Sequence, residues 1–417
     1  MRTAMEHHCS ILLVASLLLA SPAWTSASGA DHRALMRFRS LITDDPYGAL
    51  ASWGGGNMTA PAPCGWHGIT CGVRGRRRGR VTALDLRGLG LASSGTAAPL
   101  SLSGLTYLRR LDLAGNRLGG GMPSPLPPSL EHLNLSHNAL QGPVPSALGS
   151  LHRLQKLSLS YNNLTGAIPA SLGNLTSLTI LSLAINNLAG AIPGALGNLK
   201  ALTRLYLSSN NLTGAIPASL GNLTSLTILG LASNNLADAI PGTLGNLKDL
   251  TGLYLNQNML QGSIPSAMFN ISSLQELHVW MNNLTGAIPP SLCNASKLEV
   301  ARMAENSFSG VIPDCLGTHL KNLQVLMLNS NRLEANVDAD WGFMDSLTNC
   351  SNLKVIDLAE NKLGGVLPGS IANLSTSMEY LSISNNMVSG QIPQEIGNLV
   401  NLKRIYMDLN NLTGIIP

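Results

Sequence analysis

The sequence predicts an α/β solenoid in which short strands stack in parallel, coil upon coil, and three observations carry that prediction. Asparagines recur every 24 residues, at Asn138, Asn162, Asn186, Asn210, Asn234, Asn258, Asn282 and Asn306. Around each one the apolar residues hold a fixed spacing, written most cleanly in Leu151, Leu154, Leu157, Leu159, Asn162, Leu164, Gly166, Ile168 and Pro169. Only 12% of the residues are charged, about half the usual share, so Asn, Ser, Thr and Gly cover the surface. A chain of 417 residues would otherwise suggest several globular domains. A solenoid instead grows by adding coils, without enlarging one core.

The chain opens on the apolar run SILLVASLLLA at residues 10–20, followed by the small-residue stretch SPAWTSASGA. This reads as a signal peptide over residues 1–30, cleaved between about 23 and 30. No later stretch holds the roughly 18 continuous apolar residues of a membrane span, so none is expected in the mature chain. Residues 31–80 break the repeat and read as an N-terminal cap, which a solenoid needs to cover its first apolar edge. There Leu35, Phe38, Leu41 and Ile42 fall at helical spacing, with Asp31 placed as an N-cap. Trp53 and Trp66 are core residues of that cap, and Arg74, Arg76, Arg77, Arg78 and Arg80 read as a solvated loop.

Residues 81–417 then hold about 14 repeats. An irregular insertion at 334–349 stretches the Asn331–Asn361 spacing to 30 and reads as a convex-side helix with Trp341, Phe343, Met344 and Leu347. Within each repeat the x-L-x-L-x stretch alternates as a strand. The Asn amide both donates and accepts, so it can satisfy backbone groups where the chain leaves the strand. Gly166 and its equivalents suit a tight turn, and Asp238 replaces that Gly in LADAIP. The chain stops in mid-repeat at Asn411–Pro417 without a C-terminal cap, as expected of a fragment of a longer protein.

Secretion permits disulfides. Cys64 and Cys71 lie close in sequence before the first coil and are expected to pair; Cys293 and Cys315 fall near enough in register on adjacent coils to bridge. Cys350 takes the place of a buried Leu and reads as a core thiol. Twelve N-x-[ST] sequons, at Asn57, Asn134, Asn163, Asn174, Asn211, Asn222, Asn270, Asn283, Asn294, Asn349, Asn373 and Asn411, fit a glycosylated, secreted chain.

Nothing matches a metalloprotease, hydrolase-elbow, phosphate-loop or kinase motif, and the scattered histidines form no catalytic set, so no enzyme, cofactor or metal is expected. A net charge of +4 gives no reason to expect a nucleic-acid partner. Binding is the chemistry left, and strand alternation tells which residues face outward. Most coils show Ser, Ala or Gly there. Arg204, Tyr206, Tyr254, Asn256, His278, Trp280, Arg302 and Glu305 form a strip of large amphipathic side chains, with a second cluster at Arg404, Tyr406 and Asp408. Such residues are enriched at interface hot spots.

The unit L-x-G-x-I-P resembles the plant-specific class of extracellular leucine-rich repeats found in receptor-like kinases, receptor-like proteins and polygalacturonase-inhibitor-like proteins. ALMRFRSLI, Trp53 and PCGWHGITC are similar to the N-terminal domain of that family, and SLTNCSNLKVIDLAENKLGGVLP resembles the ectodomains of the defence-related receptor-kinase subfamily of cereals. The resemblance implies a right-handed leucine-rich-repeat superhelix with a parallel concave β-sheet. It implies recognition of a peptide, microbial elicitor or glycan for defence or developmental signalling, with a co-receptor as a further partner. The place would be the outer side of the plasma membrane, with the transmembrane and kinase parts downstream. The alternative is a secreted inhibitor-like protein of the cell wall, which would close with a cysteine-paired cap. A structural scaffold, the third class, would show no preferred strip.

Overall fold

The computed structural model describes residues 22–54, 63–93, 102 and 104–417, without the side chains of 22–28. The apolar run of the expected signal peptide and the sequon at Asn57 lie outside the described residues. Helix α1 (Pro22–Ser40) opens the described chain and spans the expected cleavage window. Asp31 is therefore not an N-cap: it lies inside α1, 1% exposed. Its carboxylate accepts from Arg80 at 2.8 and 3.0 Å and from the Val81 N–H at 2.9 Å, which ties the cap helix to the first coil. Leu35, Phe38, Trp53 and Trp66 are buried, and the two indoles stack 5.5 Å apart. The Cys64–Cys71 disulfide joins residues whose Cα atoms are 5.4 Å apart.

From the cap onward one long sheet forms the concave face. Ile69–Cys71 pairs antiparallel with Val81–Asp85, the first of fourteen strands that run parallel in strict order through Arg204–Tyr206, Tyr254 and His278 to Arg404–Tyr406. Register never slips in the regular stretch; Leu181, Leu205, Leu229, Leu253 and Leu277 align coil to coil and are 0% exposed. A one-residue shift would turn each leucine outward, so burial fixes the pairing.

The recurring Asn locks each coil to the one before. The Asn186 Oδ1 accepts from the Leu164 N–H at 3.0 Å, while Nδ2 donates to Leu159 O and Leu183 O, both at 3.1 Å. Asn210, Asn234 and Asn282 repeat the pattern. No apolar side chain offers both functions. The residue before each Asn is left-handed whatever its type, as at Tyr161 (φ 58°) and Ile185 (φ 55°).

Further parallel strands, such as Asn163–Gly166 and Asn187–Ala191, line a second face. This second sheet breaks after Asn235–Ala237, where Asp238 (φ 67°) stands in for the usual Gly and only an isolated bridge, Ala239 to Gln261, carries on. Single 3-10 turns such as Ala170–Asn174 form the convex side. A Cβ on Gly173 would collide with the Ala195 carbonyl of the next coil. Cys293 takes the place of that Gly one coil away from Cys315, and there the close approach is bridged as a disulfide with Cα atoms 6.1 Å apart. The insertion folds as Asp338–Trp341 and helix α3 (Gly342–Leu347), preceded by the short helix α2 (Leu316–His319). Trp341, Phe343, Met344 and Leu347 are buried, and the Trp341 Nε1–H donates to Gly364 O at 2.9 Å. Cys350 is free and fully buried. Among the described residues no helix is long and apolar enough to cross a membrane.

Candidate ligand-binding face

Most concave strands have three residues, the middle one buried and the outer two turned toward the open side. Ile405 in the last strand is exposed, and the outer residues Asp112, Asp357 and Ser382 are buried. Their side chains divide into three zones. Near the cap, Asp85, Arg87, Arg110 and Asp112 neutralise one another: Arg87 meets Asp85 at 2.5 Å, and Arg110 reaches Asp112 at 3.3 Å and Asp85 at 3.8 Å. The Asn134 amide donates to Asp112 at 3.0 Å and its Oδ1 accepts from the Ser136 hydroxyl, so this sequon side chain is engaged on the concave face. Beside this zone, Arg80 pairs with Asp31 and covers the Tyr107 ring at 4.6 Å, while Arg74, Arg76, Arg77 and Arg78 are exposed.

The middle zone holds the first expected strip. Arg204, Arg302 and Glu305 are exposed; Tyr206, Tyr254, His278 and Trp280 are half-buried. Asn256, expected to face outward, is only 8% exposed and offers little surface. The strip has an organising group that sequence reading missed. Glu276 accepts from the Tyr254 hydroxyl at 2.8 Å and lies 3.2 Å from His278 Nε2, with the Tyr254 and His278 rings 4.9 Å apart. Burial and the Glu276 carboxylate push the Tyr254 phenol up to about 12, so it stays a donor. Burial, opposed by Glu276 and helped by Arg302, lowers His278 and favours the neutral ring. The partners are 22 residues apart. The available clue was register: Glu276 precedes His278 by two and sits one coil beyond Tyr254.

The distal zone is a concavity of about 530 Å³ lined by Met327, Val355, Asp357, Glu379, Tyr380, Lys403 and Arg404. Of the second expected cluster, Arg404 lies on its wall; Tyr406 is exposed, with its ring 5.7 Å from that of Tyr380; Asp408 accepts from the Ser384 hydroxyl at 2.5 Å. Asp357 is 8% exposed, and burial raises its carboxyl above the usual carboxylate range.

The remaining sequons face elsewhere. Asn163, Asn211, Asn283 and Asn411 begin second-face strands, whereas Asn174, Asn222, Asn270, Asn294 and Asn373 end convex turns; all are exposed. Asn349, also exposed, follows α3.

Stacked parallel coils with an asparagine ladder and a disulfide-closed cap define a class, and comparison with known proteins agrees. Residues 128–188, 176–236 and 224–284 match the Leucine rich repeat family, with single repeats at 107–128, 352–374 and 377–399. Residues 28–72 match the Leucine rich repeat N-terminal domain. The chain belongs to the leucine-rich-repeat family and is similar to the ectodomain regions of plant receptor kinases.

Among its relatives are the rice (Oryza sativa subsp. japonica) receptor kinase-like protein Xa21, 49% identical over 88 residues, and the Arabidopsis thaliana receptor-like kinase EFR, 42% identical over 89 residues. Each alignment covers 21% of this chain and, respectively, 8% and 9% of the relative's own length. The solved structure of PEPR1–AtPEP1 superposes with a TM-score of 0.81 at 34% identity, covering 93% of this chain and 53% of that one. The plant peptide hormone receptor RGFR1 in complex with RGF2 gives 0.60 at 31%, covering 81% and 60%.

Proposed function

We propose that this chain is the ligand-recognition part of a plant cell-surface receptor, and that its concave face from Arg204 to Asp408 binds an extended peptide. The observation that carries the reading is the middle zone. There Tyr254 and His278 gather on Glu276, with the half-buried Trp280 two residues after His278 and Arg302 beside His278 in register, bearing a charge that no described carboxylate pairs. Rigid aromatics and an unpaired guanidinium are the groups that dominate binding energy when desolvated by a partner. The glycan acceptors support the same face: nine of the exposed sequons lie on the second and convex faces, so attached sugars would leave the middle and distal concave zones open. The similarity to RGFR1 in complex with RGF2 supports a peptide over a glycan.

The test is selection of peptides from a displayed library on the purified, glycosylated chain. Tyr254→Ala, Trp280→Ala and Arg302→Ala are each expected to weaken the selected peptide by more than about tenfold, the hot-spot range. Unchanged affinity in all three would remove the strip from the site.

A further inference from the structure

Asp112 and Asp357 hold the same register position, the last residue of a concave strand. Each accepts a hydrogen bond from the N–H two residues on, at Ala114 (3.3 Å) and Ala359 (3.1 Å). Their neutralisation differs. Two residues before Asp112 stands Arg110, whose guanidinium donates to it at 3.3 Å, with Arg87 a further 3.9 Å contact. Two residues before Asp357 stands Val355, its neighbours in register are Met327 and Ser382, and no described side chain forms an ion pair with it. The Tyr380 hydroxyl, at 3.3 Å, reaches its second oxygen, and the neighbouring Ser382 hydroxyl adds a further neutral hydrogen bond. Lys403 is taken by Glu379 at 2.7 Å, and Arg404 pairs with no described carboxylate. The nearby charge that acts on Asp357 is Glu360, which adds to burial in raising its carboxyl.

A buried carboxylate without a counter-charge is costly, and this one lines an open concavity. We infer that Asp357 is the floor of a subsite for one basic side chain of a bound peptide, whose cation does for Asp357 what Arg110 does for Asp112. The inference rests on the peptide reading above. A guanidinium suits the site: it donates in a plane to the carboxylate and stacks on aromatic rings, here those of Tyr380 and Tyr406. With Lys403 paired to Glu379, Arg404 leaves the outer wall with a net positive charge. Repulsion there selects a single basic residue over a run of them.

Isothermal titration of the whole chain with N-acetyl-arginine amide and its neutral isostere N-acetyl-citrulline amide tests the subsite. The arginine probe is expected to bind at least tenfold more tightly. Asp357→Asn, which keeps the acceptor for Ala359, is expected to erase that preference. So is Val355→Arg, which installs the neighbour that Asp112 already has. Circular dichroism melting identifies any variant that fails to fold. Equal binding of both probes to the unaltered chain, or a tenfold preference surviving in folded Asp357→Asn, overturns the subsite. Arginine binding by a chain that selects no peptide would sink the peptide reading and leave the subsite standing. Selected peptides that lack basic residues and bind Asp357→Asn equally well would do the reverse.

Discussion

The two ends of the concave face are built on one backbone pattern and reach opposite electrostatic outcomes. Next to the cap, Asp85, Arg87, Arg110 and Asp112 satisfy one another across two coils, and Asp31 is locked to Arg80. Ten coils beyond Asp112, Asp357 is buried without a described cation, Arg404 two coils further on is exposed without a described anion, and tyrosines stand beside them. Charges that pair internally hold coils together and have little left to offer a ligand. Charges left apart form no ion pair between coils and remain available. The proximal end is therefore read as structural and the distal end as receptive, and substitutions can separate the two roles.

The largest expected effect is at the proximal end. Asp31→Ala leaves Arg80 largely buried and the Val81 N–H unpaired, and should cost about 3–5 kcal/mol by denaturant unfolding. If the loss were below about 1 kcal/mol, the cap would not depend on that pair. Asn210→Leu, in the uniform middle, deprives Leu188 N–H, Leu183 O and Leu207 O of their partner, and about 2–3 kcal/mol should go in the same measurement. Arg110→Val makes the proximal strand resemble the distal one. Arg110 is 46% exposed, so solvent screening limits the loss to less than about 1 kcal/mol. The informative readout is whether the variant gains the arginine-over-citrulline preference expected at Asp357.

The smallest effect is a pH slope. Because His278 is lowered in the fold, the unfolded chain takes up its proton first as pH falls below about 6.5. Stability contributed by the neutral ring is then present at pH 7 and lost on acidification. His278→Gln should flatten thermal stability between roughly pH 7 and 5, and an unchanged slope would place the titration elsewhere. Asp357 acts with the opposite sign. Raised in the fold, it binds its proton before the unfolded chain does, so its burial penalty is relieved as pH falls.

The architecture was legible because the 24-residue spacing reports the coil directly, and Asn186 or Leu181 can be placed by counting. The left-handed residue before each Asn was not. Tyr161 and Ile185 carry no mark of it, and Ile is among the least suited residues for φ above zero; the hydrogen bonds from Ile185 N to Ser208 O and Asn186 N to Ser209 O hold the backbone there. Asp31 misled for a related reason, since its partner is 49 residues away. On the binding face, outward direction could be read by alternation, which located Tyr254, His278, Trp280 and Arg302. Alternation also marked Asp357 and Tyr380 as outward. Contacts between coils could not be read, so the role of Glu276 and the missing counter-charge of Asp357 emerged only when neighbouring strands were brought side by side.

The disulfide between Cys293 and Cys315 has a mechanical meaning. Every ladder asparagine clasps the coil before it, so tension applied along the solenoid axis would load one seam at a time and peel the chain from an end like a zip. The bridge crosses one such seam covalently. A tear travelling from either direction would have to stop there, leaving two coils fastened as a single tooth close to the coils that carry His278, Trp280 and Arg302.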